Sequence, residues 1–160
     1  MICEAPELQK TDLPADQPLT VCFVCTGNTC RSPMAQAWLT AHHGDRKIRV
    51  LSAGLAAVPG QPISRNAVLA LQAAGVENTP DNPYESHTAV PLDALTVLSC
   101  DRIIGMTDAH AMQILLRYPE AASKICAMPH AIPDPYGGDE AAYRDCLSAI
   151  AQGIEEMFPQ

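Results

Sequence analysis

Residues 21–39, VCFVCTGNTCRSPMAQAWL, pass from an apolar run through a short polar loop into a helical pattern. The β-branched and apolar run at 19–25 is typical of a buried strand. Ser32 is a preferred helix N-cap, Pro33 suits the first helical position, and Gly44 is a good stop signal. This stretch therefore predicts a strand, a tight polar loop and a helix in direct succession, which is the building unit of an α/β fold.

The same alternation continues along the chain. Further strands are predicted at 48–54, 101–106 and 124–128, and further helices at 63–75, 91–98, 107–119 and 139–158. Alternating strands and helices predict a four-stranded parallel sheet with helices on both faces, and right-handed crossovers favour a doubly wound order. Ligands of such folds bind beyond the carboxyl ends of the strands. The loops at 26–31 and 129–138 both follow strands and are expected at that edge, whereas 76–90 is expected to be a connecting loop.

Length and charge narrow the class of protein. A chain of 160 residues fits one domain, which we place at 19–160, after an N-terminal extension at 1–18 that we expect to be loosely ordered. The net charge of −8 argues against a general nucleic-acid binder, which needs a basic face. No apolar run approaches the roughly 18 residues of a membrane span, and the N-terminus lacks the pattern of a signal peptide. Seven scattered cysteines then indicate reduced thiols, and we expect a cytoplasmic monomer.

The polar loop has the composition of an anion site. Gly27 and Asn28 tolerate positive φ, so the loop can curl and point its backbone N–H groups inward at the start of a helix. Such a nest binds a tetrahedral oxyanion, and Arg31 can clamp two of its oxygens. The predicted phosphate-binding residues are Thr26, Gly27, Asn28, Thr29, Cys30, Arg31 and Ser32.

A nucleophile and an acid complete the predicted chemistry. Cys25 lies at the base of this nest, where the helix dipole and Arg31 favour thiolate over thiol, and Ser32 can donate a hydrogen bond to the sulfur. A leaving group must be protonated, and Asp134 in IPDPYGGD is the best candidate for that acid. The loop and Arg31 supply the charge stabilisation, so the prediction includes no metal and no other cofactor.

Three motifs together resemble the low-molecular-weight protein tyrosine phosphatase family: VCTGNTCRSPMAQA at 24–37, SAG at 52–54 and DPYGG at 134–138. The resemblance covers about 19–158 and implies a flavodoxin-like sheet and a phosphocysteine intermediate. It implies phosphorylated proteins as substrates and inorganic phosphate as product. It assigns nucleophile, phosphate arginine, thiolate-stabilising serine and general acid to Cys25, Arg31, Ser32 and Asp134. It also assigns loop support to Asn28, Ser52 and His87, and a possible reversible disulfide to Cys25 and Cys30.

Three departures bear on the substrate. Tyrosine phosphatases of this family usually carry an aliphatic residue where this chain has Thr29, and often an aromatic residue where it has LAAVPG at 55–60. Many also have two aromatic residues in the acid loop, where this chain has only Tyr136. These changes remove walls that would hold a phenyl ring, and the threonine-bearing loop resembles bacterial protein-arginine phosphatases. We therefore predict phosphoarginine over phosphotyrosine, with Thr29 and Tyr136 as candidate specificity residues.

Other interpretations of the same residues remain. A protein tyrosine phosphatase is the nearest alternative. A thiol-coupled arsenate reductase would need relay cysteines, and 76–99 contains none. A redox sensor would use Cys25 and Cys30, although Cys30 is equally well explained as a packing residue. A phosphoprotein-binding module would lack the nucleophile or the acid, and a zinc site lacks a second Cys/His cluster. Asp134 alone could be a turn residue, His87 a solvated histidine, Ser52 a strand end and Tyr136 a loop cap.

Overall fold

The computed structural model describes residues 17–159 and contains one four-stranded parallel sheet. The strands are β1 (Leu19–Cys25), β2 (Ile48–Gly54), β3 (Arg102–Gly105) and β4 (Ile125–Ala127). Their spatial order is β2-β1-β3-β4, so the first strand lies inside the sheet. This order confirms the predicted doubly wound parallel fold. The expected N-terminal extension at 1–18 lies almost wholly outside the described residues and stays a prediction.

Within residues 17–159, five α-helices follow the predicted order of elements. They are α1 (Arg31–His42), α2 (Arg65–Ala73), α3 (Ala94–Ser99), α4 (Asp108–Arg117) and α5 (Glu140–Met157). Short 3₁₀ helices at Tyr84–Ser86 and Pro119–Lys124 were not predicted. The first lies in the segment predicted to be a loop, and the second takes up Lys124, which was placed in the fourth strand. No helix within 17–159 is long and apolar enough to cross a membrane.

The predicted cap of α1 is wrong. The helix begins at Arg31 with Cys30 as its N-cap, and no side chain caps it, so Ser32 and Pro33 lie inside the first turn. The Ser32 hydroxyl contacts the Cys25 sulfur and the Asn28 amide instead of a backbone N–H. A side-chain oxygen caps a helix only when it is free to turn back to the first turn. Here Cys25 and Asn28 bind that oxygen instead.

The sheet is buried on both faces. Val21 and Phe23 of β1 pack in one core cluster with residues of α1, α2 and α5, whereas Cys22 and Val24 pack in a second cluster with residues of α3 and α4. Each such large apolar side chain contributes about 1.5–3 kcal/mol when it is fully removed from water. This two-sided burial leaves the carboxyl ends of the strands as the edge where polar loops converge.

Two glycines at strand ends let these loops approach closely. A Cβ on Gly54 would lie 2.6 Å from the Thr26 carbonyl oxygen, and one on Gly105 would lie 2.6 Å from the Ala111 backbone nitrogen. Real Cβ atoms do not approach backbone atoms so closely, so only a residue without a side chain fits at either position. As a result the segment after β2 touches the loop after β1, and the first turn of α4 lies against the end of β3.

Candidate active site

The phosphate cradle, residues 25–32, has backbone carbonyls that are bonded and N–H groups that are not. The carbonyls of Thr26, Asn28 and Thr29 accept hydrogen bonds from the Ala56 N–H, the His87 ring and the Ser64 N–H. Among residues 17–159, no acceptor takes the backbone N–H groups of 26–30. Asn28 has φ of 56°, as expected from its tolerance of the left-handed region, whereas Gly27 does not enter that region. The cradle thus leaves consecutive N–H donors without an acceptor among the described residues, which suits an anion.

A buried network fixes the Asn28 side chain. Its Oδ1 accepts from the Val90 N–H at 3.0 Å, which orients the amide so that Nδ2 is the donor. Nδ2 donates to Ser32 Oγ at 2.8 Å and to Ser52 Oγ at 3.0 Å. Ser52 in turn donates to Gln36 Oε1 at 2.7 Å. Every polar atom of this amide is therefore satisfied, which holds the left-handed residue and the turn it makes.

The same network directs one hydrogen to the Cys25 sulfur. Ser32 Oγ lies 2.9 Å from Cys25 Sγ and 3.5 Å from the Ala53 carbonyl oxygen. Because Ser32 Oγ accepts from Asn28, its own hydrogen is free to donate, and the sulfur is the nearer partner. A hydrogen bond donated to sulfur stabilises the charged form of a thiol.

His87 supports the cradle from outside. Its Nε2 lies 2.9 Å from the Asn28 carbonyl oxygen, so Nε2 carries the hydrogen and donates. Burial lowers the pKa of His87, and the bond to Asn28 opposes that effect in part. Ser52 and His87, both predicted as supporting residues, therefore both bond to Asn28, and their supporting role in catalysis stays a prediction.

Arg31 projects from the first turn of α1 into the site and is buried. One of its terminal nitrogens donates to the Ile132 carbonyl oxygen at 3.1 Å, and the other lies 3.7 Å from Asp134 Oδ2. A separation of 3.7 Å exceeds hydrogen-bond distance. Among the described residues nothing else accepts from this guanidinium, so most of its five N–H donors stay available to an anion.

Asp134 lies in the acid loop, residues 129–138, between β4 and α5. Its side chain is 57% exposed, and Oδ1 accepts from the Tyr136 N–H at 3.1 Å. The Tyr136 side chain is 79% exposed, so Tyr136 contributes a backbone cap to the loop and turns its ring to solvent. Asp134 therefore lies beside Arg31, in the loop that follows β4, and Cys25 is the last residue of β1 in the same sheet.

Cys30 contacts helix α5, and Thr29 contacts Cys30 and Ser64, the residue that precedes α2. Cys30 Sγ lies 3.2 Å from the Tyr143 hydroxyl, which also accepts from Ser64 Oγ at 3.1 Å. Burial and Cys30 raise the pKa of Tyr143 to about 12. Thr29 is half-buried, and its Oγ1 has one weak partner, Cys30 Sγ at 3.7 Å. The Thr29 hydroxyl is therefore largely uncommitted.

One buried histidine links the cradle to the loop after β3. His110, on the first turn of α4, is 5% exposed, and its Nε2 lies 3.0 Å from Thr26 Oγ1. Its Nδ1 lies 2.9 Å from Thr107 Oγ1. Burial and the positive charge of Arg31 lower the pKa of His110 to about 4, while Asp134 acts in the opposite direction. The imidazole is therefore neutral at physiological pH.

The chain is similar to known proteins over most of its length. The profile of the family described as low molecular weight phosphotyrosine protein phosphatase matches residues 20–160. The chain belongs to this family. It is 34% identical over 147 residues to a protein-arginine-phosphatase of Geobacillus stearothermophilus, with 88% of this chain and 94% of that protein covered. It is 31% identical over 145 residues to the probable low molecular weight protein-tyrosine-phosphatase EpsP of Ralstonia solanacearum, again with 88% and 94% covered.

Solved structures agree with the fold of the low molecular weight phosphatase family. The YwlE arginine phosphatase of Geobacillus stearothermophilus superimposes with a TM-score of 0.79 at 31% identity, covering 88% of this chain and 91% of that one. Members of both named substrate types therefore lie at similar distance from this chain. Membership in this phosphatase family confirms the predicted enzyme class, and it leaves the choice of substrate to the pocket.

Several residues of this phosphatase site were not predicted. Gln36, Ser64, His110 and Tyr143 all bond directly to predicted residues. The sequence carried one usable signal for His110, because a threonine three residues ahead is the pattern of a helix cap. The others lie at helical positions where periodicity predicts only packing. Within 17–159 no group of His, Cys, Asp and Glu side chains is arranged to hold a metal ion.

Proposed function

We propose that this protein hydrolyses phosphorylated protein side chains through a phosphocysteine intermediate on Cys25, with phosphoarginine preferred to phosphotyrosine. The observation that supports this chemistry is the presence of three features at the edge of the sheet where the carboxyl ends of the strands lie. These are the Cys25 thiol, which is hydrogen-bonded to Ser32 at 2.9 Å, the N–H donors of the cradle, which have no acceptor among the described residues, and the buried Arg31 beside Asp134. A nucleophile, an oxyanion site and an acid are the parts that covalent phosphoryl transfer requires.

The first step forms a bond from sulfur to phosphorus. The Cys25 thiolate attacks the phosphorus atom, the bond from phosphorus to the leaving nitrogen or oxygen breaks, and Asp134 gives its proton to the leaving atom. Arg31 and the backbone N–H groups of the cradle stabilise the charge on the equatorial oxygens. Ser32 stabilises the thiolate, since its hydroxyl is free to donate to sulfur.

The second step restores the enzyme. Water attacks phosphorus, the Asp134 carboxylate takes a proton from that water, and the sulfur–phosphorus bond breaks. The products are inorganic phosphate and the Cys25 thiolate. The Asp134 side chain suits both steps because it is half-exposed, so water reaches it, and it lies beside the phosphate arginine.

The preference for phosphoarginine rests on the polarity of the site mouth. A guanidinium carries several N–H donors, whereas a phenyl ring carries none. The Thr29 hydroxyl is nearly free, and Asp134 offers a carboxylate, so two acceptors lie close to the cradle. The Ala56 N–H donates to the Thr26 carbonyl, so the segment beside Thr26 carries a small side chain and offers no aromatic wall.

The deciding experiment compares kcat/KM on matched peptides that carry phosphoarginine, phosphotyrosine or phosphoserine. We expect turnover in the order phosphoarginine, phosphotyrosine, phosphoserine. Cys25→Ser protein is the control for spontaneous hydrolysis, since the P–N bond of phosphoarginine is labile. A higher kcat/KM on phosphotyrosine would overturn the substrate assignment and leave the Cys25 mechanism intact. Absence of turnover on all three would overturn both.

Reversible oxidation of the same site is part of this proposal. Cys25 and Cys30 are both free thiols in the cradle, and a nucleophilic thiolate is open to peroxide. We expect peroxide inactivation to be reversed by dithiothreitol and to become irreversible in Cys30→Ser protein. Intact-mass analysis of oxidised wild-type protein is expected to show loss of two hydrogens. An oxygen adduct in place of that loss would reject the disulfide.

A further inference from the structure

We propose that His110 is a positioning residue that makes Thr26 a hydrogen-bond donor to a phosphoryl oxygen of the substrate. This inference rests on the proposed function, because it assumes that a phosphoryl group occupies the cradle. The observation that carries it is the chain of side chains from Thr107 through the buried imidazole to Thr26, the residue that follows the nucleophile.

Hydrogen-bond accounting assigns the tautomer. Thr107 Oγ1 already accepts from the His110 backbone N–H at 3.2 Å. If the Thr107 hydroxyl donates its hydrogen to Nδ1, then Nδ1 is an acceptor, and the one hydrogen of the neutral ring lies on Nε2. With the ring hydrogen on Nδ1 instead, the Thr107 hydroxyl hydrogen finds no acceptor among the described residues. The neutral imidazole therefore donates through Nε2 to Thr26 Oγ1.

The tautomer decides what Thr26 offers to an anion. When Thr26 Oγ1 accepts from His110, its own hydrogen remains free and can point at a negatively charged oxygen. With the opposite tautomer, Thr26 would donate to the histidine and turn only lone pairs to the anion. Thr26 is exposed beside Cys25, so a bound phosphoryl group lies within its reach.

The position of His110 in the fold supports this role. The strand order places the β3 loop between the cradle and the acid loop, and His110 stands on the helix that follows β3. The charges of Arg31 and Asp134 both act on its ring. His110 is also the only side chain, within 17–159, that bonds the Thr26 hydroxyl. The Asn28 network holds the other half of the cradle, beyond Gly27.

The first test reads the tautomer directly. Long-range ¹H–¹⁵N correlation spectra of ¹⁵N-labelled protein at pH 7 distinguish a protonated from an unprotonated ring nitrogen, and His110→Gln identifies the signals. We expect His110 to be protonated at Nε2 and unprotonated at Nδ1. The opposite pattern, or a protonated ring, overturns the proposal without any reference to activity.

The second test is a double-mutant cycle on kcat/KM for a generic aryl phosphate, with Thr26→Val, His110→Ala and the double variant. We expect each single change to lower kcat/KM by about tenfold and the double change to cost no more than either one. Thr26→Ser keeps the hydroxyl and is expected to stay within about twofold to threefold of wild type. Independent losses that multiply to about a hundredfold indicate a merely structural histidine and overturn the proposal.

The same Thr26 and His110 variants distinguish a folding defect from a loss of function. If His110→Ala protein does not fold, the exposed Thr26→Val and Thr26→Ser pair decides, and equal activity of Thr26→Val and wild type overturns the proposal. If wild-type protein hydrolyses neither a phosphate ester nor phosphoarginine, the proposed function fails on its own account. Inorganic phosphate binding, measured by calorimetry, then replaces kcat/KM in the cycle. Weaker binding in Thr26→Val supports the donor role, and unchanged binding overturns it.

Discussion

The phosphate cradle and the acid loop meet at Arg31, yet they are held very differently. Asn28 alone makes bonds to Ser32, Ser52, His87 and Val90, and it is buried. The acid loop is tied to the sheet mainly by Ile132, whose N–H donates to the Met106 carbonyl and whose own carbonyl accepts from Arg31. Beyond that anchor, the Asp134 side chain is 57% exposed, accepts a hydrogen bond only from the Tyr136 N–H among the described residues, and lies 3.7 Å from Arg31.

The difference suits the two tasks that we propose for these regions. Charge stabilisation is strongest when the donors are already oriented before the charge develops, so a cradle gains from a rigid network. A general acid must reach a leaving group, exchange its proton with water and then act as a base, so partial exposure is useful. We therefore expect substitutions in the cradle to lower the turnover of all substrates, whereas the effect of substitutions in the acid loop on turnover depends on the leaving group.

The largest expected effect is loss of the nucleophile from the cradle. Cys25→Ser is expected to lower kcat by about 10⁴-fold or more on every phosphorylated substrate, because an alcohol at this position is a far weaker nucleophile than a thiolate. Steady-state turnover of an aryl phosphate measures the loss. Cys126→Ala, which removes a buried thiol on β4, is the matched control and is expected to retain activity. Comparable activity of the Cys25→Ser protein would move the chemistry out of the cradle.

Loss of the acid is expected to come next, and it separates the two regions. Asp134→Ala is expected to lower kcat by about 10²–10⁴-fold for a phosphate ester of a weakly acidic alcohol or phenol. An ester of a very acidic phenol needs little protonation and is expected to lose much less. Asp145→Ala, an exposed carboxylate on α5, is the control for a simple change of charge. Equal losses on both esters would remove Asp134 from the role of acid.

A smaller effect is expected when the mouth of the cradle loses its hydroxyl. In Thr29→Ile protein the donors of a guanidinium lack one acceptor, at a cost of roughly 1–3 kcal/mol, which is about a 5- to 150-fold loss of kcat/KM on phosphoarginine. Phosphotyrosine turnover is expected to rise, because an aliphatic side chain contacts the ring. The ratio of the two kcat/KM values measures the change, and Thr29→Ser is expected to keep the wild-type ratio. An unchanged ratio in Thr29→Ile would show that specificity lies elsewhere.

The smallest expected effect concerns stability, and it comes from His110, the α4 histidine that contacts Thr26 of the cradle. The folded pKa of His110, about 4, lies below the unfolded value of about 6.5, so the unfolded chain binds more protons between these values. The free energy of unfolding therefore falls as the pH is lowered through this window. From pH 7.5 to 5.5 the share of His110 is about 1 kcal/mol.

Urea unfolding at the two pH values measures this share as the difference between wild-type and His110→Gln protein. His87 adds a loss of the same sign, because its pKa is also lowered, and the difference cancels it. His130→Gln, which removes a 73% exposed imidazole in the acid loop, is the matched control. A pH dependence that persists in full after His110→Gln would contradict the assignment.

Much of this architecture is predictable because it depends on local patterns. Apolar runs that are buried on both faces identify the strands, and the glycines after α1 and α2, Gly44 and Gly75, adopt positive φ where each helix ends. The start of α1 was not predictable in the same way. Ser32 has the residue type of a cap, and only the distant Ser52 and Val90, which orient Asn28, turn its hydroxyl to Cys25 instead.

The sequence by itself determined the fold class, the loop from Cys25 to Ser32 and the candidate acid at Asp134, because each depends on spacing along the chain or on residue type. Only the tertiary structure decided which side chains surround them. His110 and Tyr143 stand at helical positions that packing alone would explain, and the strand order and the approach allowed by Gly105 bring His110 to Thr26. Hydrogen bonds between segments depend on the relative placement of whole elements, and no local pattern encodes that placement.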